Sequence, residues 1–304
     1  MPSNTNPELQ HEIEGILAAM RRAKRRAEDL VIATNTKLVE SKDGKVVLLG
    51  AEEILARRRK SYASDRPDDD DGMVLPFEGD STDFSEVEPI LPKGDALTAA
   101  MVGIGMVFAA TAALEPNIED TLLAASIEGM EYDDLRVLSA LTTWLSVHHQ
   151  RVNADRLIRI VSMRGEQRVL AYWAAIAHWL NADRRLSRLA ELAPEQRVHL
   201  LRVGSAFQLK RRGEDPRFED SALVVPQGVL RDRDADVLTP QQLAARHRAY
   251  FQRIQIGPSC RADLWALLES EPTLSPTELA RRGYGSLATA WQVKRDFETL
   301  HFRT

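Results

Sequence analysis

Residues 259–302, SCRADLWALLESEPTLSPTELARRGYGSLATAWQVKRDFETLHF, decide the predicted fold of the last part of the chain. A first helical pattern ends at Pro272. Ser275 then precedes a proline and Glu278, an arrangement typical of a capped helix start. This second helix is short, because Gly283 opens a tight turn before a third helical pattern begins. The order of a helix, a short helix, a tight turn and a third helix is typical of a helix-turn-helix.

The third helix of this segment has an apolar pattern that starts after Ser286. The residues expected to face inward are Leu287, Ala290, Trp291, Val293 and Phe297. Apolar residues at this spacing form one side of a helix, so the helix is expected to pack on the two before it.

The stretch 274–283, LSPTELARRG, followed by the helix 286–297, resembles the helix-turn-helix half of bacterial winged-helix regulators. In that family the third helix enters the major groove of DNA. The resemblance implies base-facing residues at Ser286, Thr289, Gln292 and Lys294, and phosphate contacts from Arg281, Arg282 and Arg295. Thr304 leaves no room for the hairpin wing that such regulators carry, so a module without a wing is expected.

The composition of the whole chain favours helices. Its 304 residues are 44% hydrophobic and 28% charged, which excludes wholesale disorder and a polytopic membrane protein. Aromatic residues are scarce at 6%, whereas the strong helix formers alanine, leucine, arginine and glutamate are abundant. We therefore predict a mainly α fold: a multi-helix body with a C-terminal helix-turn-helix and a small N-terminal unit of a helix and a β-hairpin.

The distribution of charge divides the chain. Residues 1–60 hold 12 basic and 9 acidic side chains, residues 61–95 hold 2 and 11, and the remainder holds 26 and 25. The predicted parts are an N-terminal helix and hairpin unit at 1–60, an acidic flexible linker at 61–95, an all-helical body at 96–258 and the helix-turn-helix module at 259–304. The hairpin turn is expected at Asp43-Gly44, between two β-prone runs.

The body is predicted to begin with an uncharged run at 96–114. Its length admits a membrane span, but its many small residues favour a buried core helix, so no membrane association is expected. Further helices are predicted at 118–128, 133–148, 154–163, 167–180, 183–193 and 194–208. The helical pattern lapses at 213–239, where a short hairpin or an irregular loop is expected.

A basic block lies at 150–217, which contains 14 arginines and lysines but only 7 acidic residues. The possible phosphate or partner patch consists of Arg184, Arg185, Arg188, Lys210, Arg211 and Arg212. These side chains could line a phosphate backbone, pair with the acidic linker, or form a solvated helical surface.

No motif in the sequence indicates catalysis. Cys260 is the single cysteine, which favours a reducing compartment. The first residues, MPSN, are polar and lack the apolar run of a secretory signal. His148 and His149 are adjacent and would point about 100° apart on a helix, which suits no shared metal. We therefore expect a cytoplasmic, non-enzymatic protein with no catalytic residues, no metal and no cofactor.

Two functions remain open from the sequence. The first is a DNA-binding regulator, dimeric because operators are commonly two-fold, with the helical body holding a partner or a second copy. A helix-turn-helix joined to a larger, partner-binding body is weakly similar to antitoxin regulators of the abortive-infection type. This resemblance implies an antitoxin-like role in transcription regulation. The second is a protein-protein assembly or scaffold protein with no direct nucleic-acid contact.

Overall fold

The computed structural model describes residues 31, 37–42, 45–50, 52–54, 84, 87–164 and 166–301. The chain divides into two compact units, residues 1–76 and residues 77–304. Most of the predicted N-terminal helix and most of the predicted linker lie outside the described residues.

The first unit contains the predicted β-hairpin. Strand β1 (Leu38–Lys42) pairs antiparallel with β2 (Lys45–Leu49), and Leu38 lies opposite Leu49. Lys42 lies opposite Lys45, which leaves a connection of two residues, Asp-Gly in the sequence. The two strands confirm the hairpin, and the two turn residues themselves lie outside the described part.

The second unit is mainly helical, as predicted. Its helices are α1 (Gly94–Gly103), α2 (Ile118–Glu131), α3 (Leu135–His148), α4 (Ala154–Arg164), α5 (Gln167–Trp179), α6 (Ser187–Ala190), α7 (Ser205–Arg212), α8 (Pro240–Ala244), α9 (Arg248–Gln255), α10 (Cys260–Ser270), α11 (Pro276–Arg282) and α12 (Leu287–His301). Two short strands, β3 (Val198–His199) and β4 (Leu223–Val224), form a small parallel sheet.

The core of the body lies between α2, α3, α4 and α5. Trp144 and Trp173 are fully buried there, and each indole N–H has an acceptor. Trp144 Nε1 donates to the carbonyl of Ile104 at 2.7 Å, and Trp173 Nε1 donates to Ser126 Oγ at 3.0 Å. Because buried polar groups without partners are costly, these bonds fix the position of both rings.

His148 joins α3 to the later part of the body. Its Nδ1 lies 2.7 Å from the hydroxyl of Tyr250, and its Nε2 lies 2.9 Å from the carbonyl of Leu238. Burial lowers the pKa of His148 to about 4, so the ring is neutral at neutral pH. The neutral ring donates from Nε2 and accepts at Nδ1, which makes His148 a satisfied core residue.

The single helix predicted over 96–114 is wrong, because α1 ends at Gly103. The chain then folds back, and the amide of Ala113 donates to the carbonyl of Ala99 at 2.8 Å. Gly105 supports this reversal with a φ of 96°, a conformation that side-chain-bearing residues rarely adopt. Within the ranges described above, the helices are all too short or too polar to cross a membrane.

The two helices predicted over 183–193 and 194–208 are also wrong. The first region holds a 3-10 turn and the four-residue α6, and the second holds β3 before α7 begins. The amides of Val198 and Leu200 donate to the carbonyls of Ala222 and Val224, so β3 pairs in parallel with β4. Apart from β4 and a 3-10 turn, the region 213–239 is irregular, which agrees with the irregular loop that was one of the two predictions for it.

Candidate nucleic-acid interface and its attachment to the body

The last three helices, α10, α11 and α12, lie where the sequence pattern predicts them and pack together. We call them the C-terminal module. The buried residues of their shared apolar cluster are Leu264, Leu268, Leu279, Ala280, Ala290, Val293 and Phe297. The members of this list come from all three helices, so the module has an apolar core of its own.

The starts of α11 and α12 are fixed by serine caps. Ser275 Oγ accepts the amide of Glu278 at 3.2 Å, and Ser286 Oγ accepts the amide of Thr289 at 3.1 Å. Gly283, in the turn between the two helices, packs so closely on Leu264 of α10 that a Cβ at this position would clash with it. The glycine turn therefore holds α11 and α12 against α10.

Phe84, which belongs to the predicted linker, contacts this turn. Its amide donates to the carbonyl of Gly285 at 3.2 Å, and its ring is partly buried against the module core. Glu88, slightly later in the chain, lies 3.4 Å from Arg164 of α4. Phe84 and Glu88 therefore contact other residues of the second unit, to which they belong.

Helix α12 has one buried and one exposed face. Trp291 is 52% exposed, so the prediction that it faces inward is wrong. Residues on an α-helix advance by about 100° each, and this rotates position 291 away from the buried stripe of Ala290, Val293 and Phe297. The exposed face of α12 comprises Ala288, Trp291, Gln292 and Arg295 and, further along the helix, Glu298 and Thr299.

The predicted base-facing residues occupy different positions around α12. Gln292 lies on the exposed face. Ser286 Oγ and Thr289 Oγ1 are 2.8 Å apart at the helix start, where they bond to each other. Lys294 is largely covered, because its Nζ donates to the carbonyl of Leu274 at 2.6 Å.

The predicted phosphate contacts also differ from one another. Arg281 bonds Glu278 at 2.9 and 2.5 Å, and Arg282 bonds Glu271 through two contacts of 2.8 Å. Hydrogen bonds from these arginines lower the pKa of both carboxyl groups. Arg295 is exposed and has no ion pair among the described residues, which makes it the free cation of the exposed face of α12.

The possible phosphate or partner patch is divided between separate elements. Arg184 and Arg185 lie in the 3-10 turn before α6, where Arg185 bonds Asp183 at 2.6 Å. Arg188 of α6 lies 3.7 Å from Asp155. Lys210, Arg211 and Arg212 occupy the last turn of α7, and within the described part of the chain they make no ion pair.

A buried ionic junction attaches the module to the body, and no sequence pattern indicates it. Arg253 of α9 lies between Glu119 of α2 and Asp263 of α10, and its side chain is only 1% exposed. Its guanidinium bonds Glu119 at 2.6 and 2.9 Å and Asp263 at 2.7 and 2.8 Å. The carbonyl of Arg151 accepts a further bond at 3.1 Å, so all five N–H donors of Arg253 are used.

The two carboxylates of this junction differ in their protonation energetics. Burial raises the pKa of Glu119, but the charge and hydrogen bonds of Arg253 and an amide bond from Asn153 outweigh it, so the pKa lies below its usual range. Burial dominates at Asp263 and raises its pKa despite Arg253. Glu119 is therefore the more firmly ionised partner of the two.

A second buried pair lies beside the junction. Arg156 of α4 forms an ion pair with Asp120 of α2, and its guanidinium stacks 3.5 Å from the ring centre of Tyr284. Tyr284 belongs to the glycine turn of the module and has a φ of 53°. Burial raises its pKa to about 12, so the phenol stays protonated against the arginine.

No spacing in the sequence could have revealed the junction, because Glu119 and Arg253 are 134 residues apart. A comparison of the chain with protein families, curated proteins and solved structures finds no match. The chemistry of the site therefore rests on its own geometry. The exposed face of α12 offers a cation, an amide and an indole on a helix whose opposite side packs in the module core.

Proposed function

We propose that the protein is a non-enzymatic, DNA-binding regulator that places α12 in the major groove of DNA. The observation that carries this proposal is the exposed face of α12, where Gln292 and Arg295 project from a helix packed through its opposite side. Arginine can bond guanine and glutamine can bond adenine through two contacts each. Ala288, on the same face, lets the helix backbone approach the bases closely.

Several cations could supply the electrostatic part of binding. Arg281 and Arg282 lie in the last turn of α11 and would exchange their surface carboxylates for phosphates. Lys210, Arg211 and Arg212 of α7 offer further positive charge, since they make no ion pair among the described residues. Such contacts release counterions from the duplex, so affinity should fall as salt rises. In this proposal the helical body holds a partner protein or a second copy, as an antitoxin-like regulator would.

The experiment is a titration of the full chain with random duplex DNA at low and moderate salt. The test variant is Arg295→Glu, because this side chain is exposed and unpaired, and reversing its charge leaves the module core intact. The matched control is Arg246→Glu, another exposed arginine, located between α8 and α9. Lys294 is unsuitable for this test, since its ammonium stabilises the Leu274 carbonyl inside the module.

We expect the wild-type chain and Arg246→Glu to bind with similar affinity and a steep salt dependence. Arg295→Glu should weaken binding by roughly tenfold or more, because a phosphate or base contact becomes a repulsion. Equal binding by both variants would remove α12 from the interface. Absence of binding by the wild-type chain at low salt would refute the proposed function.

The exposed indole of Trp291 favours a second candidate, a protein-protein assembly function through the same face. Tryptophan and arginine are the residue types most enriched at the energetic centres of protein interfaces, and Trp291 and Arg295 are one helical turn apart. Trp291→Ala would then abolish self-association or capture of a protein partner, measured by sedimentation, without changing DNA binding. Loss of DNA binding alone would contradict this candidate.

A further inference from the structure

A cleft of about 230 Å³ lies beside the ionic junction, between the segment that precedes α2 and the helices α9 and α10. Its apolar walls include Pro116, Ala266 and Leu267. Asp263 and Glu115 also line it, and Asp263 is nearly buried. The proposed DNA-binding function leaves this cleft unused.

The charges next to the cleft do not balance. Arg253 carries one positive charge between two carboxylates, Glu119 and Asp263, which leaves one negative charge in excess. The neighbouring pair of Arg156 and Asp120 is neutral as a whole and offsets nothing. Buried charges of one sign are costly unless an opposite charge lies near them.

Glu115 adds a second negative charge at the wall of the cleft. Its carboxylate accepts the backbone amide of Arg248 at 2.8 and 3.0 Å, and its Oε2 lies 3.3 Å from Nδ1 of His247. At the rim, Arg282 and Glu271 form a pair that contributes no net charge. The guanidinium of Arg248 bonds Ser270 Oγ at 2.7 Å and offsets the charge of Glu115, so one negative charge remains in excess around the cleft.

His247, which also lines the cleft, supplies no compensating positive charge. Its Nδ1 accepts the amide of Tyr250 at 3.1 Å, and its Nε2 lies 3.0 Å from the carbonyl of Pro116. With Nδ1 accepting the Tyr250 amide, the ring proton lies on Nε2 and is donated to the Pro116 carbonyl. Burial lowers the pKa of His247, which agrees with a neutral ring.

The size of the cleft limits what can enter. An apolar cavity of about 150 Å³ admits a benzene ring, so 230 Å³ admits a ring with a short substituent. We propose that this cleft binds a small organic amine, with its ammonium group facing Asp263 and Glu115 and its apolar body against Pro116 and Leu267. The excess negative charge favours an ammonium group over a neutral or anionic group, and the apolar walls favour an apolar body.

The experiment is calorimetric titration of the full chain at neutral pH with three probes of the same shape. Benzylamine carries a positive charge, benzyl alcohol none and benzoate a negative charge. We expect benzylamine to bind about tenfold more tightly than either of the others, because a hydrogen bond to a charged group contributes about 1.5–3 kcal/mol. The measurement needs no DNA, so its outcome is independent of the proposed function.

Three variants locate the bound amine. Ala266→Leu fills the cleft and should abolish binding, and Glu115→Gln removes a wall charge and should weaken benzylamine several-fold. Glu219→Gln, the matched control, removes an exposed charge elsewhere and should leave the affinity unchanged. Cooperative unfolding of each variant establishes that it is folded.

The proposal fails if benzylamine does not bind, or if Ala266→Leu and Glu115→Gln leave its affinity unchanged. Equal binding of benzyl alcohol would show an apolar cavity without charge selection and would overturn the amine assignment. Tighter binding of benzoate would overturn it as well, in favour of an anion site at Arg253 or Arg282.

Discussion

The C-terminal module and the junction that attaches it to the body are stabilised by different interactions, although they share helix α10. Leu264 belongs to the apolar core of the module, whereas its neighbour Asp263 belongs to the buried ionic junction. The module core is made of apolar contacts, which have no directional requirement. The junction is made of directed bonds around one guanidinium, in which each partner needs the others.

This difference has a physical consequence for mutations. Removing an apolar side chain from the module core costs the lost burial and the cavity left behind. Removing Arg253 instead leaves two buried carboxylates facing each other without their shared cation, since Glu119 and Asp263 both lie within 2.9 Å of that guanidinium. The junction should therefore be the more sensitive of the two regions, and its sensitivity should depend on pH.

The largest expected effect is that of Arg253→Met on stability. We expect the free energy of unfolding at neutral pH to fall by about 4 kcal/mol, since breaking a buried pair typically costs 3–5 kcal/mol. Without the cation, the pKa values of Glu119 and Asp263 in the folded state should rise above their unfolded values. The folded variant then binds more protons than the unfolded chain, so its stability should increase relative to wild type as the pH is lowered.

Urea unfolding of Arg253→Met and wild type across a range of pH measures this effect. Arg246→Met is the matched control, because Arg246 is exposed and should change stability by less than about 0.5 kcal/mol. A loss for Arg253→Met that matches the control, or that stays constant with pH, would contradict the role given to the junction.

A smaller effect is expected from Leu264→Ala in the module core. The free energy of unfolding should fall by about 3 kcal/mol, within the 2–5 kcal/mol typical of buried leucines. This loss should be independent of pH, because no titrating group is exposed or paired by the change. Leu300→Ala is the control, since Leu300 on α12 is 60% exposed and its truncation should have little effect. Similar losses of stability from Leu264→Ala and Leu300→Ala would contradict the assignment of Leu264 to the module core.

The contrast between the two regions also explains what the sequence could reveal. The caps at Ser275 and Ser286 and the apolar spacing of Ala290, Val293 and Phe297 are local, so the three helices of the module were predictable. Trp291 was placed wrongly because an apolar residue next to an apolar stripe need not belong to it. Only the exposed fraction in the folded chain distinguishes the two cases.

The junction and the cleft could not be predicted, because their residues come from distant parts of the chain. Glu119, Arg253 and Asp263 each resemble an ordinary charged residue on a helix. Their burial follows from the packing of α9 and α10 on α2, which no local pattern encodes. The parallel pairing of β3 with β4 is a similar case, since Val198 and its partner in the register, Leu223, are 25 positions apart in the sequence.

The smallest expected effect on stability is that of Glu278→Gln, which tests the surface of the module rather than its core. Glu278 bonds Arg281 on the exposed side of α11, and exposed pairs contribute about 0–1 kcal/mol. If Arg281 contacts phosphate, as proposed, freeing its guanidinium should raise the affinity for random duplex DNA a few-fold at low salt, and the gain should shrink as salt increases.

The measurement is the DNA titration described above, repeated with Glu278→Gln. Glu195→Gln removes the same charge from an exposed site outside the module, so equal gains from both variants would assign the effect to net charge. A gain confined to Glu278→Gln would place Arg281 beside the duplex, whereas no gain would favour the assembly function for this face.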